Sequence, residues 1–376
     1  MSPLTHSKLP LEQIMTTIQV LLALLRNALW GHPVEKELRE SVDFARLSKV
    51  AKQQTVAGLV FGELVRRQFP LTPRDTLMAF GFTQRVAQAN ALLQHELANL
   101  VNVMHRKKLP FFVFKGQTLA ALYPHPEERT PGDIDFYCPP SSFDAAAAVF
   151  QEEWKLKLER QAGEHAIEFY HGKVLFEMHY EMLDFNTKAD RLYWERLLSD
   201  TPSDFVEVNG LKVPTLAPTL NVLYTFLHLY LHLVELGVGL RQFCDVAVLL
   251  HSLREKIDRA ALQKHLKVLN FTLAFEAVGW ILIDKLGLPP EDFPLPISEK
   301  AKRYEQDILR IVFLGGNFGK QAKHHAVRSG LSYYWETFRI KLRHYRLFYA
   351  LSPRHIRAAL FSGLPHRISL LLGLKK

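Results

Sequence analysis

The spacing of apolar residues divides the chain into helical and mixed regions. Between residues 11 and 106, apolar side chains recur at the intervals of amphipathic helices, with breaks at Pro33 and at 70–73. Helical spacing returns after Pro218, where helices are predicted over 220–236, 240–253, 259–269 and 272–286. The pattern therefore predicts two helical regions on either side of a central segment of another kind.

The central segment, 107–215, shows the shorter periods of β-strands. Strands are predicted at 111–114, 133–137, 166–170 and 174–182. The last two are separated by His171 and Gly172, which is the spacing of a hairpin. A helix is expected over 142–153. Short strands mixed with helices predict an α+β fold class for this segment.

These boundaries divide the chain into four predicted units. They are an N-terminal helical region at 1–106, an α+β core at 107–215, a C-terminal helical domain at 216–319 and a basic helical tail at 320–376. The glycine-rich stretch 315–319 follows no strand, so it predicts a turn and not a dinucleotide-binding fingerprint.

Composition indicates a folded protein, with 48% apolar and 23% charged residues. Cys138 and Cys244 are the only cysteines and form no CxxC pair, which argues against a disulfide framework and favours a reducing compartment. No window reaches the 18 or so uninterrupted apolar residues of a spanning helix. We therefore expect a soluble, cytoplasmic protein without a transmembrane segment.

The net charge of +9 is concentrated at the C-terminal end of the chain. Residues 320–376 contain twelve Lys or Arg residues and one acid, Glu336. The cationic, aromatic segment Tyr333–Tyr349 predicts contact with a polyanion, either nucleic acid or an anionic membrane surface at the inner face of the membrane. The alternative is a solvated helical face whose apolar side packs inward, and the sequence leaves both open.

Two acids in the second predicted strand suggest a cation site. Asp133 and Asp135 are two residues apart, so in a strand they share one face while Ile134 and Phe136 point to the core. Adjacent like charges are unfavourable without a cation, and Mg²⁺ or Mn²⁺ prefers carboxylate oxygen. Glu177, in a later strand, can supply the third acidic ligand.

The turn after the first predicted strand is a candidate phosphate site. Gly116 opens a helix there and lets backbone N–H groups approach an anion, with Gln117 following it. Lys115 and Arg129 can supply positive charge. The alternatives are a solvated lysine at a strand end for Lys115, and for Arg129 a salt bridge that holds the loop of Asp133.

This arrangement resembles the DNA polymerase β nucleotidyltransferase superfamily. More closely, it is similar to an uncharacterised nucleotidyltransferase family with a KG…YP…R…GDID signature, which here is Lys115–Gly116, Tyr123–Pro124, Arg129 and Gly132–Asp135. Later parts of the chain also look like that family. They are the strand with Glu177 and His179 and, further on, His228, 239–241, Asp245 and 315–319.

The resemblance implies a polymerase β-type α+β core flanked by helical regions, and a transferase that moves a nucleoside monophosphate from an NTP to an acceptor hydroxyl. It implies Asp133 and Asp135 as ligands of two Mg²⁺ or Mn²⁺ ions, and Glu177 as a ligand of the ion at the attacking hydroxyl. Lys115, Gly116, Gln117 and Arg129 would contact the nucleotide.

Several alternatives remain open from the sequence. Gln117 replaces the small hydroxyl residue of the superfamily turn, which with the basic tail also suits a non-catalytic nucleotide-binding or regulatory module. His228 and His232 have the HxxxH spacing of some zinc sites, but a polar, hydrogen-bonded helix face is the alternative. Arg241 and Asp245 predict either a helical ion pair or residues that border the substrate cleft.

Overall fold

The computed structural model of this chain describes residues 11–158, 165–235, 237–315 and 331–361. The predicted turn at 315–319 lies outside the described residues except for Gly315, which ends α14, and the tail segments 320–330 and 362–376 also lie outside them. The helices are α1 (Leu11–Trp30), α2 (Lys36–Glu40), α3 (Phe44–Gln53), α4 (Ala57–Arg66), α5 (Pro73–Arg106), α6 (Gly116–Ala120), α7 (Pro140–Glu153), α8 (Lys188–Asp200), α9 (Pro218–Glu235), α10 (Leu240–Leu253), α11 (Arg259–Leu269), α12 (Thr272–Asp284), α13 (Glu299–Lys302), α14 (Glu305–Gly315) and α15 (Leu331–Phe348), and residues 353–361 are also helical.

The strands are β1 (Phe112–Phe114), β2 (Ile134–Tyr137), β3 (Ala166–His171), β4 (Val174–His179), β5 (Asp204–Val208) and β6 (Leu211–Thr215). The four predicted strands and the α+β class are therefore confirmed, with Asp133 falling one residue before β2. The β5–β6 hairpin was not predicted. Its turn is Asn209–Gly210, where both residues have positive φ, the conformation that an Asn-Gly hairpin turn requires.

Strands β1 to β4 form one mixed sheet in the order β1-β2-β4-β3. The central strands β2 and β4 run parallel, while β1 and β3 pair antiparallel at the two edges. A parallel pair needs a long connection. Here the chain leaves β2 through α7 and forms the edge strand β3 before it returns as β4, so two distant sequence segments become neighbours at the centre of the sheet.

The two faces of this sheet have different surroundings. On one face, Ile134, Phe136, Phe176 and Met178 join a core that includes residues of α7 and of the C-terminal half of α5. Phe114 instead joins a second, larger core made mainly of helices, which includes Tyr224 of α9. Because side chains alternate along a strand, the acids of β2 and β4 point toward the helical side.

The long helix α5 supports the first face of the sheet. Thr72 caps its start, where its hydroxyl accepts from the amide of Asp75 at 3.1 Å, and Pro73 occupies the first helical position. Farther along, Leu93, Leu97, Leu100 and other apolar residues recur at helical spacing and are buried. This stripe fixes α5 beneath the strands that carry the candidate acids.

Helix α9 covers the other side. Most of its side chains are buried, and α10, α11 and α15 pack around it. Helix α15, from the predicted basic tail, packs on α9 through Tyr345, Phe348 and other residues of one face. Among the described residues, none of the helices is both long and apolar enough to cross a bilayer.

Candidate functional site

Strand pairing brings Asp135 and Glu177 together. The two residues are direct partners across the parallel β2–β4 pair, so their side chains emerge on the same face. Asp135 is 2% exposed, whereas the Glu177 side chain is 23% exposed. One acid therefore lies at the buried end of the site, and the other lies where solvent or a ligand can reach it.

Lys115 and His179 are the partners of Asp135. The Lys115 Nζ lies 2.8 Å and the His179 Nε2 3.0 Å from the same oxygen, Oδ1. Burial alone would raise the pKa of Asp135, but the charge of Lys115 and the hydrogen bond with His179 outweigh it and hold that pKa well below its usual range. Asp135 is therefore an ionised carboxylate at neutral pH despite its burial.

Asp133 has the opposite electrostatic environment. Burial, together with repulsion from Asp135 and Glu177, raises its pKa to about 7. The difference between two acids only two residues apart arises because Lys115 contacts Asp135 directly and influences Asp133 only weakly. The site thus holds one carboxylate firmly ionised beside a second whose pKa lies near neutrality.

His179 completes a group of potential metal ligands. Its Nε2 lies 3.3 Å from Oε2 of Glu177, and the ligand atoms of Asp135, Glu177 and His179 all lie within 4.8 Å of one another. Asp133 stands beside this group but outside it. Two carboxylates and an imidazole this close together form a donor set that suits a divalent cation such as Mn²⁺.

The Lys115–Gly116 turn lies against the carboxylates. Lys115 has φ of +59° and Gly116 has φ of +44°. A Cβ at position 116 would lie 3.1 Å from the carbonyl oxygen of Asp133, so glycine is needed both for its conformation and for the close approach. The ammonium of Lys115 turns inward to Asp135, which differs from the solvated strand-end lysine considered as the alternative.

The side chains of Gln117 and Arg129 bind partners other than the candidate acids Asp133, Asp135 and Glu177. The amide of Gln117 donates to Oδ1 of Asn90 at 2.9 Å. Arg129, 4% exposed, forms two bonds to Asp245 of α10, at 2.7 and 2.9 Å. For Arg129, the structure favours a salt bridge over a direct phosphate contact. The predicted Arg241–Asp245 ion pair is wrong, because Arg129 occupies Asp245.

Helix α9 forms the wall that faces the carboxylates. The Tyr224 ring contacts Phe114, with centroids 5.2 Å apart, and the His228 ring follows at 5.9 Å from Tyr224. Burial lowers the pKa of His232 to about 4 and places that of His228 well below its usual value. Within the described ranges, no group of three candidate metal ligands includes these two histidines, so the zinc interpretation gains no support.

Two residues position the site in ways that the sequence analysis did not predict, although Tyr123 belongs to the family signature. Asn90 donates to the carbonyls of Glu127 and Arg129 at 2.9 Å each, and so holds the loop before Asp133. The sequence signal for this role is that Asn90 is a polar residue within the apolar stripe of α5. Tyr123 donates to Asp245 at 2.7 Å, but its role depends on a partner 122 residues away, which no local pattern indicates.

Comparison with known proteins identifies a family for this chain. A family model described as "Uncharacterised nucleotidyltransferase" matches residues 40–283, which include every candidate residue above. A search of curated proteins finds no relative. Among solved structures, an antigenic nucleotidyltransferase-like protein from Paracoccidioides brasiliensis matches with 13% identity and a TM-score of 0.31, over 48% of this chain and 85% of that one.

Proposed function

Because the chain belongs to the family of uncharacterised nucleotidyltransferases, we propose that it transfers a nucleoside monophosphate from an NTP to a hydroxyl group of an acceptor. The proposed site consists of Asp133, Asp135 and Glu177, which bind Mg²⁺ or Mn²⁺. The observation that supports it is the convergence of Asp135, Glu177 and His179 within 4.8 Å beside Asp133. We add His179 to the candidate ligands on the same ground.

The donor atoms suit divalent cations. Asp133 and Glu177 repel each other and Asp135, and the direct contact of Lys115 is with Asp135, so its charge offsets that of Asp133 only in part. When bound, divalent cations would supply the charge that lowers the pKa of the acceptor hydroxyl and neutralises the phosphates during in-line attack. In the two-ion arrangement that we propose, Asp133 and Asp135 would hold both ions, and Glu177 would hold the one that activates the acceptor hydroxyl.

The protein's own residues orient the reactants in this proposal. Gly116 lets the turn backbone approach phosphate, and Gln117 contributes its backbone there because its side chain is bound to Asn90. Lys115 keeps Asp135 ionised and fixes its direction. Arg129 acts at a distance, since its bonds to Asp245 hold the loop before Asp133 against α10.

Pyrophosphate release tests this function. Each NTP is supplied with Mg²⁺ or Mn²⁺ over a panel of hydroxyl-bearing acceptors, and Mn²⁺ binding is measured in parallel. We expect Glu177→Gln to reduce release by about 100-fold or more, because it removes a proposed carboxylate ligand of the cation while glutamine keeps an oxygen near His179. Lys173→Gln, on the exposed β3–β4 turn, is the control. Wild-type rates in Glu177→Gln would refute the proposal.

The second candidate function is a nucleotide-binding module without turnover. The bond from Lys115 to Asp135 favours it, because the ammonium occupies the carboxylate that a cation would use. The absence of a hydroxyl residue at Gln117 points the same way. Calorimetry with Mg²⁺ and ATP separates the two functions. Tight binding without pyrophosphate release supports the module, whereas release supports the enzyme.

An exposed basic surface suggests a partner for either function. Arg339, Arg343 and Arg346 are exposed along one face of α15, flanked by Trp335 and Tyr349, which are 62% and 43% exposed. Cationic side chains between aromatic ones are typical of helices that lie on anionic membranes. We propose an anionic lipid surface as the partner of this α15 face, with nucleic acid as the alternative outcome of the test.

A further inference from the structure

Arg241 stands at the start of α10, beside the loop that carries Asp133. Its Nη1 donates to the carbonyl oxygen of Thr130 at 3.1 Å, and the same atom would lie 3.9 Å from a Cβ built on Gly132. The side chain is partly buried. The guanidinium therefore borders the carboxylate site from the side of the C-terminal helices.

Arg241 forms no ion pair within 4 Å among the described residues, and Asp245 and Asp133 act on its charge only from farther away. Asp245, one helical turn away, is already bound to Arg129 in two bonds and to Tyr123 in a third. The buried Nε of Arg241 has no acceptor. Burial and the neighbouring Arg129 charge lower the pKa of Arg241. A guanidinium held by a single neutral acceptor is costly to bury, so an anion at this position would be stabilised.

The start of α10 is fixed in place by Gln54, a fully buried residue after α3. Its Oε1 accepts from the amide of Leu240 at 3.1 Å, its carbonyl accepts from the amide of Arg241 at 3.3 Å, and its own amide donates to Val312 at 2.9 Å. Any Cβ at Gly239 would lie 2.8 Å from the Gln54 carbonyl oxygen. The backbone of Arg241 is thus held rigidly before any ligand arrives.

We propose that Arg241 binds the polyphosphate of the nucleotide, an inference that rests on the proposed function. The planar guanidinium can donate two parallel bonds to phosphate oxygens, which a lysine cannot do. It is also free for this role, since Lys115 is bound to Asp135 and Arg129 to Asp245. In this arrangement, Arg241 contacts the loop just before Asp133, the Lys115–Gly116 turn contacts Asp133 itself, and together they define where the phosphates bind.

Calorimetry with three probes tests this role: Mn²⁺ alone, inorganic tripolyphosphate, and Mg²⁺ with ATP. We expect Arg241→Gln to weaken tripolyphosphate and ATP binding by 10-fold or more and to leave Mn²⁺ binding unchanged. Arg241→Lys should fall between Arg241→Gln and wild type. Arg310→Gln, an exposed arginine of α14, is the matched control and should bind like wild type.

The outcomes separate this inference from the proposed function. If Glu177→Gln loses Mg²⁺–ATP binding while Arg241→Gln binds both phosphate probes like wild type, only the role of Arg241 is overturned. If wild type binds neither phosphate probe, both proposals are overturned. Thermal unfolding provides a second readout. A purely structural role predicts a lower Tm for Arg241→Gln, whereas an uncompensated cation predicts an equal or higher Tm in the absence of ligand.

Discussion

At the scale of single residues, charge balance distinguishes the acids of the site. Asp135 is fully buried but ionised, because Lys115 and His179 both contact one of its oxygens. Asp133 lacks such contacts and faces two other carboxylates. The folded protein therefore keeps three mutually repelling acids together. Functional sites commonly contain such groups at some loss of stability.

The burial of Asp133, together with this repulsion, predicts a stability difference that depends on pH. The pKa of Asp133 is about 7 in the folded protein and higher than in the unfolded chain, so ionised Asp133 destabilises the fold. The resulting loss in the free energy of unfolding grows as pH rises from about 4 to 7 and is constant above that range. In metal-free protein, Asp133→Asn should raise Tm at pH 8 by about 2 °C or more relative to wild type.

The measurement is thermal unfolding with EDTA at pH 8 and at pH 5.5. The advantage of Asp133→Asn should be smaller at pH 5.5, where the wild-type carboxyl is protonated in the folded state. Added Mn²⁺ should stabilise wild type more than the variant. If Asp133→Asn raises Tm equally at both pH values, ionisation of Asp133 in the folded protein is not the cause of the Tm difference.

The acids could be predicted from the sequence, but their partners could not. Alternation along a strand is a local property, so it places Asp133 and Asp135 on one face without any structure. The bond between Arg129 and Asp245 joins residues 116 positions apart, and nothing near Asp245 indicates it. The direction of the Lys115 side chain likewise depends on how β1 pairs with β2.

At the scale of elements, glycines let α4 approach the loop that leads to the site. A Cβ on Gly58 would overlap the carbonyl oxygen of Glu128, at the end of the short 3-10 turn Pro126–Glu128. Glu128 also pairs with Arg66 of the same helix. Since Arg129 follows directly, the packing of α4 determines where the loop before Asp133 begins.

Gly58→Ala should therefore lower the free energy of unfolding by about 2 kcal/mol, because a backbone atom must move to admit the methyl group. Gly81→Ala is the matched control. It lies inside α5, where the nearest atom to a new Cβ is the flexible Arg85 side chain at 3.6 Å. There alanine should stabilise by about 0.5–1 kcal/mol. Urea unfolding at pH 7 measures both, and equal effects would disprove the close-packing argument.

Most elements follow from periodicity, and the exceptions have different causes. The β5–β6 hairpin has a strong local signal, since Asn209–Gly210 forms the turn and the apolar residues beside it alternate with Glu207 and Lys212, so it could have been predicted from the sequence. The crossover from β2 through α7 and β3 to β4 was also not specified. Pairing partners in a mixed sheet depend on tertiary packing and not on any one segment.

At the scale of the whole molecule, charge and catalysis are proposed to occupy different surfaces. The candidate acids lie between the sheet and α9, whereas the exposed arginines lie on α15, whose other face packs against α9. The basic helix thus has both an inward apolar side and an outward cationic side. The sequence left open a polyanion-binding segment or a helix whose apolar side packs inward, and one helix can have both properties.

Charge removal tests the α15 surface. Replacing Arg339, Arg343 and Arg346 together with Gln should reduce co-sedimentation with phosphatidylserine vesicles by about 100-fold, at roughly 1 kcal/mol for each charge. The control replaces three exposed lysines elsewhere, Lys256, Lys264 and Lys267. Equal losses in both triple variants would show a general charge effect. Binding to RNA or DNA oligonucleotides but not to vesicles would identify nucleic acid as the partner.

The buried Arg129–Asp245 pair has a practical consequence for the preparation of shorter fragments of this protein. Its two halves come from different sides of the predicted boundary near residue 216, and each would lose its counter-charge if the chain were cut there. Phe114 and Tyr224 would be uncovered in the same cut. We expect an excised strand-containing fragment to aggregate, so enzymology is better pursued on the intact polypeptide.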